Sequence, residues 1–389
     1  MNFCFSKEMF DLPENLVVTG GVISRSSNLP KDFWAVGFPQ TTRCIDTLCS
    51  IYDIDKPSLC TSVEEKTFKI LGRSPNNIPW VRVLGLDECI TRVLNISRRL
   101  ELMFESTFDK RYVDIYVSSR RILEKLQSST VDPIKLVEFM TSESNSSLKT
   151  CLKTFKPNRQ CILERPIYSQ CTTSTGRLTV SKGPSILTLP QRYRSIIKSR
   201  FEGGRILSID FKSLEPRVAL AVQDKKAPED VYSYVSEKIL EGSVDRKVSK
   251  LATIASLYGT SFRKFKEMSG CKDPQVLQVV KDFFGVKRLA KKVAVSNFVN
   301  NFDRPLNNST PDHRRISHFV QSTSCDIVNC SFGDFIQNFS SDKVVPVFLL
   351  HDALVVDVSP DTVQSVFEFT KSGLETIMGK FPVTCENFS

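Results

Sequence analysis

The chain has 389 residues, enough for two or three domains at about 150 residues each. Its 41% hydrophobic and 25% charged content is that of a folded globular chain and excludes wholesale disorder or a fibrous repeat. No run approaches the ~18 apolar residues of a membrane-spanning helix, and the start, Met1 to Glu8, lacks the charged-then-apolar order of a signal peptide. A soluble cytoplasmic protein with no membrane partner is expected.

The twelve cysteines include no C-x-x-C pair, and the three histidines (His313, His318, His351) do not cluster with them, so neither a disulfide framework nor a zinc site is expected. The net charge of +10 suits a polyanionic partner. Within residues 246–292 there are twelve Lys/Arg against three Asp/Glu, which is nearly the whole excess.

Taken in chain order, residues 1–86 mix short apolar runs with Pro, Gly and Ser, show no strong period, and read as an accessory region. From Asp87 the pattern is helical. Ile90, Val93, Leu94 and Ile96 to Leu100 recur at three-to-four spacing, as do the apolar residues from Tyr112 to Leu126. Arg98, Arg99, Arg111, Arg120 and Arg121 occupy the intervening faces of this expected basic helix pair. Ser142 to Ser147 reads as a flexible tip. Arg205 to Phe211 is a buried-strand pattern, after which Ser213 is placed to cap a helix with Pro216 in its first turn. Helices are predicted from Val231 to Leu240 and from Asp245 to Tyr258, with Gly242 between them. Val344 to Leu350 and Ala353 to Val358 are β-rich runs separated only by His351 and Asp352, which predicts a hairpin.

Two carboxylates, Asp210 and Asp352, interrupt apolar runs at strand ends, where a charge is costly unless a cation compensates it. Were the strands neighbours, the two would converge on one point. Carboxylate oxygens suit Mg²⁺, and two divalent ions about 3.5–4 Å apart are standard machinery for in-line phosphoryl displacement. Arg246, Lys250, Ile254 and Tyr258 fall at i, i+4, i+8 and i+12 on one helix stripe. Two cations a turn apart there are placed to grip a triphosphate, with a flat ring and Gly259 beyond them.

These residues reach a known family. Asp210-Phe211-Lys212-Ser213-Leu214-Glu215-Pro216-Arg217 resembles motif A of family A DNA polymerases, the bacterial DNA polymerase I type. The Arg246, Lys250, Tyr258-Gly259 pattern resembles motif B, and His351-Asp352 after an apolar strand resembles motif C. Thr173-Ser174-Thr175-Gly176-Arg177-Leu178 is similar to the T-x-T-G-R-L segment before motif A, and Gln321 to Asp326 to the Q-G-T-A-A-D helix before motif C. The matches cover residues 166–358, in family order.

The resemblance implies an α+β right hand: an antiparallel-sheet palm at 166–222 and 302–389, helical fingers at 223–301, and a helical thumb at 87–165 after the accessory region. It implies primer extension with dNTPs on primer–template DNA, without proofreading or flap-nuclease activity. Asp210 and Asp352, with the Phe211 carbonyl, would hold two Mg²⁺ ions, Mn²⁺ being able to substitute. Arg246 and Lys250 would bind the incoming triphosphate, Tyr258 and Ile254 would lie beside the nucleotide, and Glu215 would crowd the sugar 2′ position. Arg177, Gln321, His351 and Arg217 would contact DNA. No processivity partner is identified.

The sequence also departs from the family pattern. Ala353 stands where motif C has Glu, Ile254 where an aromatic is usual, and Ser317 where Asn is usual. Ser185 to Leu189 replaces an Asn/Gln-rich segment. The motif B helix and the short His-Asp-small turn are also similar to phage-type single-subunit RNA polymerases, against which Glu215 and the T-G-R-L segment argue. A catalytically weak DNA-binding relative is the third reading.

Overall fold

The short apolar runs of residues 1–86 form strands in the computed structural model, which describes residues 1–38, 41–73, 78–295, 298–339 and 342–388. Strands β1 (Asn2–Phe5), β2 (Asn15–Thr19), β3 (Val22–Ser26) and β4 (Trp34–Val36) lie in the order β3-β2-β1-β4. β1 pairs parallel with β4, and the other pairs are antiparallel. Three of the runs are buried along nearly their whole length, so no two-residue alternation marked them. Helices α1 (Ile45–Ile51), α2 (Ser62–Ile70), α3 (Trp80–Leu84), α4 (Leu86–Ser106) and α5 (Lys110–Lys125) follow.

The chain divides into two compact units, Met1–Glu124 and Lys125–Ser389. Residues 87–124 therefore share a unit with the N-terminal sheet, while the rest of the expected thumb segment folds with the second unit. Arg98, Arg99, Arg111 and Arg121 are exposed as the pattern predicts, but Arg120 is not. It is 1% exposed, its guanidinium lies over the Tyr116 ring, and its Nε donates to the Thr41 carbonyl at 2.8 Å. A planar cation that stacks and donates at once tolerates such a place better than periodicity suggests.

The second unit opens with β5 (Thr130–Val131), α6 (Pro133–Ser142), α7 (Ser146–Lys153), β6 (Ile167–Ser169), β7 (Thr179–Lys182) and β8 (Ile197–Lys198). The expected flexible tip at 142–147 is instead a tight capped turn. Asn145 accepts from the backbone N–H of Ser147 and Leu148 to start α7, and Arg192 and Tyr193 both donate to the Glu143 carboxylate. Polar residues that read as a linker are here spent on caps.

Next come β9 (Arg205–Phe211), α8 (Leu214–Ala221), α9 (Val231–Tyr234), α10 (Arg246–Leu257), α11 (Phe262–Ser269), α12 (Gln275–Phe283), α13 (Val286–Val295) and α14 (Asp312–Asn338). The chain finishes with β10 (Val344–Leu350), β11 (Ala353–Val358), α15 (Val363–Lys371), β12 (Leu374–Thr376), β13 (Gly379–Phe381) and β14 (Val383–Asn387). The strand at 205–211, the hairpin and the helix at 245–258 fall where the sequence put them. Two local readings need correction. Ser213 sits at the start of α8 but in a left-handed conformation (φ 51°), and its side chain does not cap the helix. The predicted helix over 231–240 widens after α9 into a π-turn, Val235–Ile239, in which Leu240 N–H reaches the Val235 carbonyl at 2.9 Å.

One fully antiparallel sheet, β10-β11-β9-β14, organises this unit. Every residue of β10 and β11 is buried. On one face, Phe211 packs on Phe332 of α14, ring centroids 5.4 Å apart. On the other, Ile206, Val345, Val347 and Val355 join a core with Leu136 of α6 and Leu152 of α7. The single long helix α14 behind the sheet and the α10–α13 group beside it complete the α+β architecture. No helix among the described residues is long and apolar enough to cross a membrane.

Gly259, which ends α10, has φ +64°, and a Cβ there would lie 2.3 Å from the His313 carbonyl oxygen. Backbone at that distance cannot give way. Gly259→Ala is expected to cost roughly 1–3 kcal/mol, read as a lower urea midpoint at unchanged m-value.

Candidate functional site

The register of β9 and β11 decides where the two acidic residues go. Asp210 pairs with Ala353, and the next residue on each strand is joined by a hydrogen bond from Phe211 N–H to the Asp352 carbonyl at 3.2 Å. The hairpin turn is tight, with His351 at φ 53°. Asp210 and Asp352 thus stand within one residue of each other across adjacent strands, and both line one cleft of about 810 Å³. On its other side Asp210 pairs with Thr384 of β14.

Neither carboxylate has a cationic partner at ion-pair distance among the described residues. A buried aspartate elsewhere on β11 shows the contrast. Asp357 is fully buried but accepts from Ser199 Oγ at 2.5 Å and from Arg200 N–H and Nε at 2.9 and 3.1 Å. Asp210, lacking such partners, is raised from the ordinary 3.8 to about 7, first by burial, then by Asp352 and Glu386, with Lys250 and Arg194 opposing. Burial also raises Asp352, against His351, Arg177 and Lys250.

α10 supplies the opposite wall. Asp245 caps it by accepting from Val248 N–H at 2.7 Å, and Arg246, Lys250, Ile254 and Tyr258 all line the cleft, as their spacing requires. Arg246 pairs with Asp230 at 2.9 Å, and both Arg246 and Lys250 lie over the Tyr232 ring, at 5.5 and 5.7 Å.

Glu215, in the first turn of α8, is clamped from two sides. Arg177 Nη2 donates to it at 2.5 Å and Tyr258 OH at 2.6 Å. Burial raises Glu215, and the two donors oppose the rise. Arg177, Glu215, Gln321, His351 and Asp352 line a second, smaller hollow beside the main cleft. Partial burial, with Arg177 adding, lowers His351 below the ordinary imidazole range.

Of the twelve residues singled out in the sequence, eleven meet here. Arg217 does not. It is 4% exposed, and its guanidinium is spent on the backbone carbonyls of Lys212 (2.8 Å) and Glu229, where it braces the start of α8 outside the cleft. The structure adds Asp230, Tyr232 and Thr384 to the cleft. The Asp230-Val231-Tyr232 stretch carried a cap signal for α9, but nothing local tied it to the cleft.

Hard oxygen donors without a protein counter-ion, at a site whose proton affinity is raised, form the donor set a divalent cation takes. No group of three or more His, Cys, Asp or Glu arranged to hold a metal occurs among the described residues, so the set is two carboxylates and backbone.

No protein-family model matches the chain, and no curated protein matches it. Among solved structures it is similar to the POL domain of Pol1 from M. smegmatis, in complex with DNA primer-template and dNTP. The match covers 88% of this chain and 81% of that one, with a TM-score of 0.57 and 12% sequence identity. The chain has a polymerase fold.

Asp210 yields a pH signature. Its raised value means that its contribution to stability is complete below pH ~4 and is lost as pH rises through about 7. The Asp210 side chain is exposed to the cleft and partly screened by solvent. Asp210→Asn should therefore raise the metal-free melting temperature by only about 1–3 °C at about pH 8, and by less still at about pH 4. Equal shifts at both values would contradict the assignment.

Proposed function

We propose that the protein is a template-directed DNA polymerase of the family A type, extending a primer 3′ end with dNTPs. The observation that carries this is the convergence of Asp210 and Asp352 from two strands on one cleft, facing Arg246 and Lys250 from α10. In the family's terms residues 166–222 and 302–389 act as palm, 223–301 as fingers and 87–165 as thumb, with 1–86 accessory.

Asp210, Asp352 and the Phe211 carbonyl would hold two Mg²⁺ ions, or Mn²⁺ in their place. When bound, these supply charge neutralisation and alignment for in-line attack of the primer hydroxyl on the α-phosphate. The chain's own side chains do the rest. Arg246 and Lys250 bind the triphosphate and stabilise the charge that moves onto the leaving pyrophosphate. Tyr232, already under both cations, fixes their direction. Glu215, held rigid by Arg177 and Tyr258, occupies the space a ribose 2′-hydroxyl needs, and this favours DNA over RNA synthesis. Gln321 and His351 border the hollow that would receive the primer-terminal base pair. Sequence comes from template pairing, so the protein grips duplex by phosphate and shape. No residue set for a proofreading or flap nuclease was found in the sequence, and neither activity is proposed.

The test is extension of a labelled primer on a template with dNTPs and, separately, with NTPs. Wild type should extend with dNTPs and very weakly with NTPs, and Asp210→Ala and Asp352→Ala should each lower the rate by at least ~10³-fold while keeping duplex affinity. Preference for NTPs would establish RNA synthesis. Equal, negligible extension by wild type and both variants would leave a DNA-binding relative.

Glu215→Ala should raise use of NTPs relative to dNTPs by ~100-fold or more, and Tyr258→Phe, which removes only one of its two donors, by ~10-fold. Unchanged discrimination in Glu215→Ala would remove the gate from the mechanism.

A further inference from the structure

Two segments singled out in the sequence, Thr173 to Leu178 and Gln321 to Asp326, meet through Arg304, which neither contains. Arg304 lies between α13 and α14 and is 3% exposed. Its Nη1 is 3.8 Å from Asp326 Oδ1, and its Nη2 donates to the Gln170 carbonyl at 3.4 Å. Asp326 is fully buried in α14, where Asn300 Nδ2 donates to its other oxygen at 2.7 Å. Asn300 Oδ1 in turn accepts from the backbone N–H of Arg304 at 3.1 Å. Side chain and backbone of Arg304 are thus both tied to the helix.

The guanidinium lies against the backbone of Gly176. A Cβ on Gly176 would sit 1.9 Å from Arg304 Nη1 and 2.2 Å from its Cζ, an approach that only glycine permits, and Gly176 has φ +74°. Gly176 N–H donates to the Thr173 carbonyl at 3.1 Å, and Thr173 Oγ1 donates to the Arg177 carbonyl at 3.0 Å, which closes the turn. The next side chain, Arg177, is the one that clamps Glu215. A fully buried charge pair therefore stands behind the turn, where apolar packing would serve stability as well or better. What the pair adds is direction, because Asp326 and Gln170 together set the plane of the guanidinium.

We infer that Arg304 is the positioning residue of the sugar gate: backed by Asp326, it holds the Gly176 turn in place and so aims Arg177 at Glu215. This rests on the proposed reading of Glu215 as the group that excludes a ribose 2′-hydroxyl. Arg304 lines neither the cleft nor the hollow beside it, and acts only through Gly176 and Arg177.

The experiment replaces the pair together, Arg304→Met with Asp326→Asn, so that no unpaired charge is left buried. Its companion, Gly176→Ala, pushes on the same contact from the other side. Melting temperatures confirm that each variant folds. Both should raise use of NTPs relative to dNTPs about 10-fold, with the NTP rate itself rising. A merely destabilised enzyme would lose both rates together. In an Arg177→Ala background the same changes should alter discrimination by less than about 2-fold, because the residue they act through is gone. Hydrogen exchange at the amides of 173–178, followed by mass spectrometry, should be at least about 10-fold faster in both variants. Unchanged exchange in that turn, wild-type discrimination with the turn loosened, or full additivity with Arg177→Ala overturns the inference. A loosened turn in a protein that extends no primer overturns the polymerase reading, and the gate with it, while leaving the hold of Arg304 on the turn established.

Discussion

Two like charges held at one end of a buried antiparallel sheet are the constraint around which the second unit is arranged. The β9–β11 register cannot slip by a residue without turning the buried Leu207, Ile209 and Phe211 of β9 to its open face, so the juxtaposition of Asp210 and Asp352 is fixed by the same apolar residues that fix the core. The cost is visible in the raised proton affinity of both groups. Asp357, on the same hairpin, shows that the fold can neutralise a buried carboxylate completely when it supplies an arginine and a hydroxyl. That it does so there and not at the cleft marks the cleft as a place where the counter-charge is left to come from outside.

The second wall obeys a related logic. Arg246 and Lys250 face the carboxylates but are anchored to Tyr232 and Asp230, not to Asp210 or Asp352. Direct pairing would have filled the cleft and lowered both acids to the ordinary range. Holding the cations over an aromatic ring keeps them oriented and leaves the cleft of about 810 Å³ open between the two walls. Glu215 has the opposite treatment: it is bonded on both oxygens and so cannot swing into the gap. The site thus combines a few locked groups with a few deliberately uncompensated ones.

Much of this was legible in the sequence because it is local. The strand ending in Asp210, the hairpin around His351-Asp352 and the four-residue stripe of α10 each follow from period and spacing over a dozen residues or fewer. What was not legible depends on residues far apart. Arg217 matched a motif position, yet two carbonyls on either side of α8 claim it. Tyr232 and Asp230 belong to the cleft only because α9 packs against α10. Ser213 has a cap residue's chemistry but a backbone conformation that denies it the cap. The N-terminal sheet escaped notice because three of its four strands, three to five residues long and buried on both faces, carry no alternation to read.

The departures from the family pattern fall on positions whose surroundings explain them. Ser185 to Leu189, where polar residues were expected, closes a short 3₁₀ turn with Ile186 and Leu189 buried in the core beneath the sheet. Ser317 is buried within α14, its hydroxyl bonded to the Arg314 carbonyl. Ile254 keeps its place in the cleft but offers a branched aliphatic surface instead of a ring. Two of the three put apolar contact or local hydrogen bonding where the family pattern has another side chain. Arg246 and Lys250 keep their places in the cleft, while Ala353 leaves position 353 without a carboxylate. Under the proposed function the chain has therefore kept both aspartates and both cations of the chemical step while losing the carboxylate at position 353, and its other changes fall where grip on duplex is shared among many weak contacts.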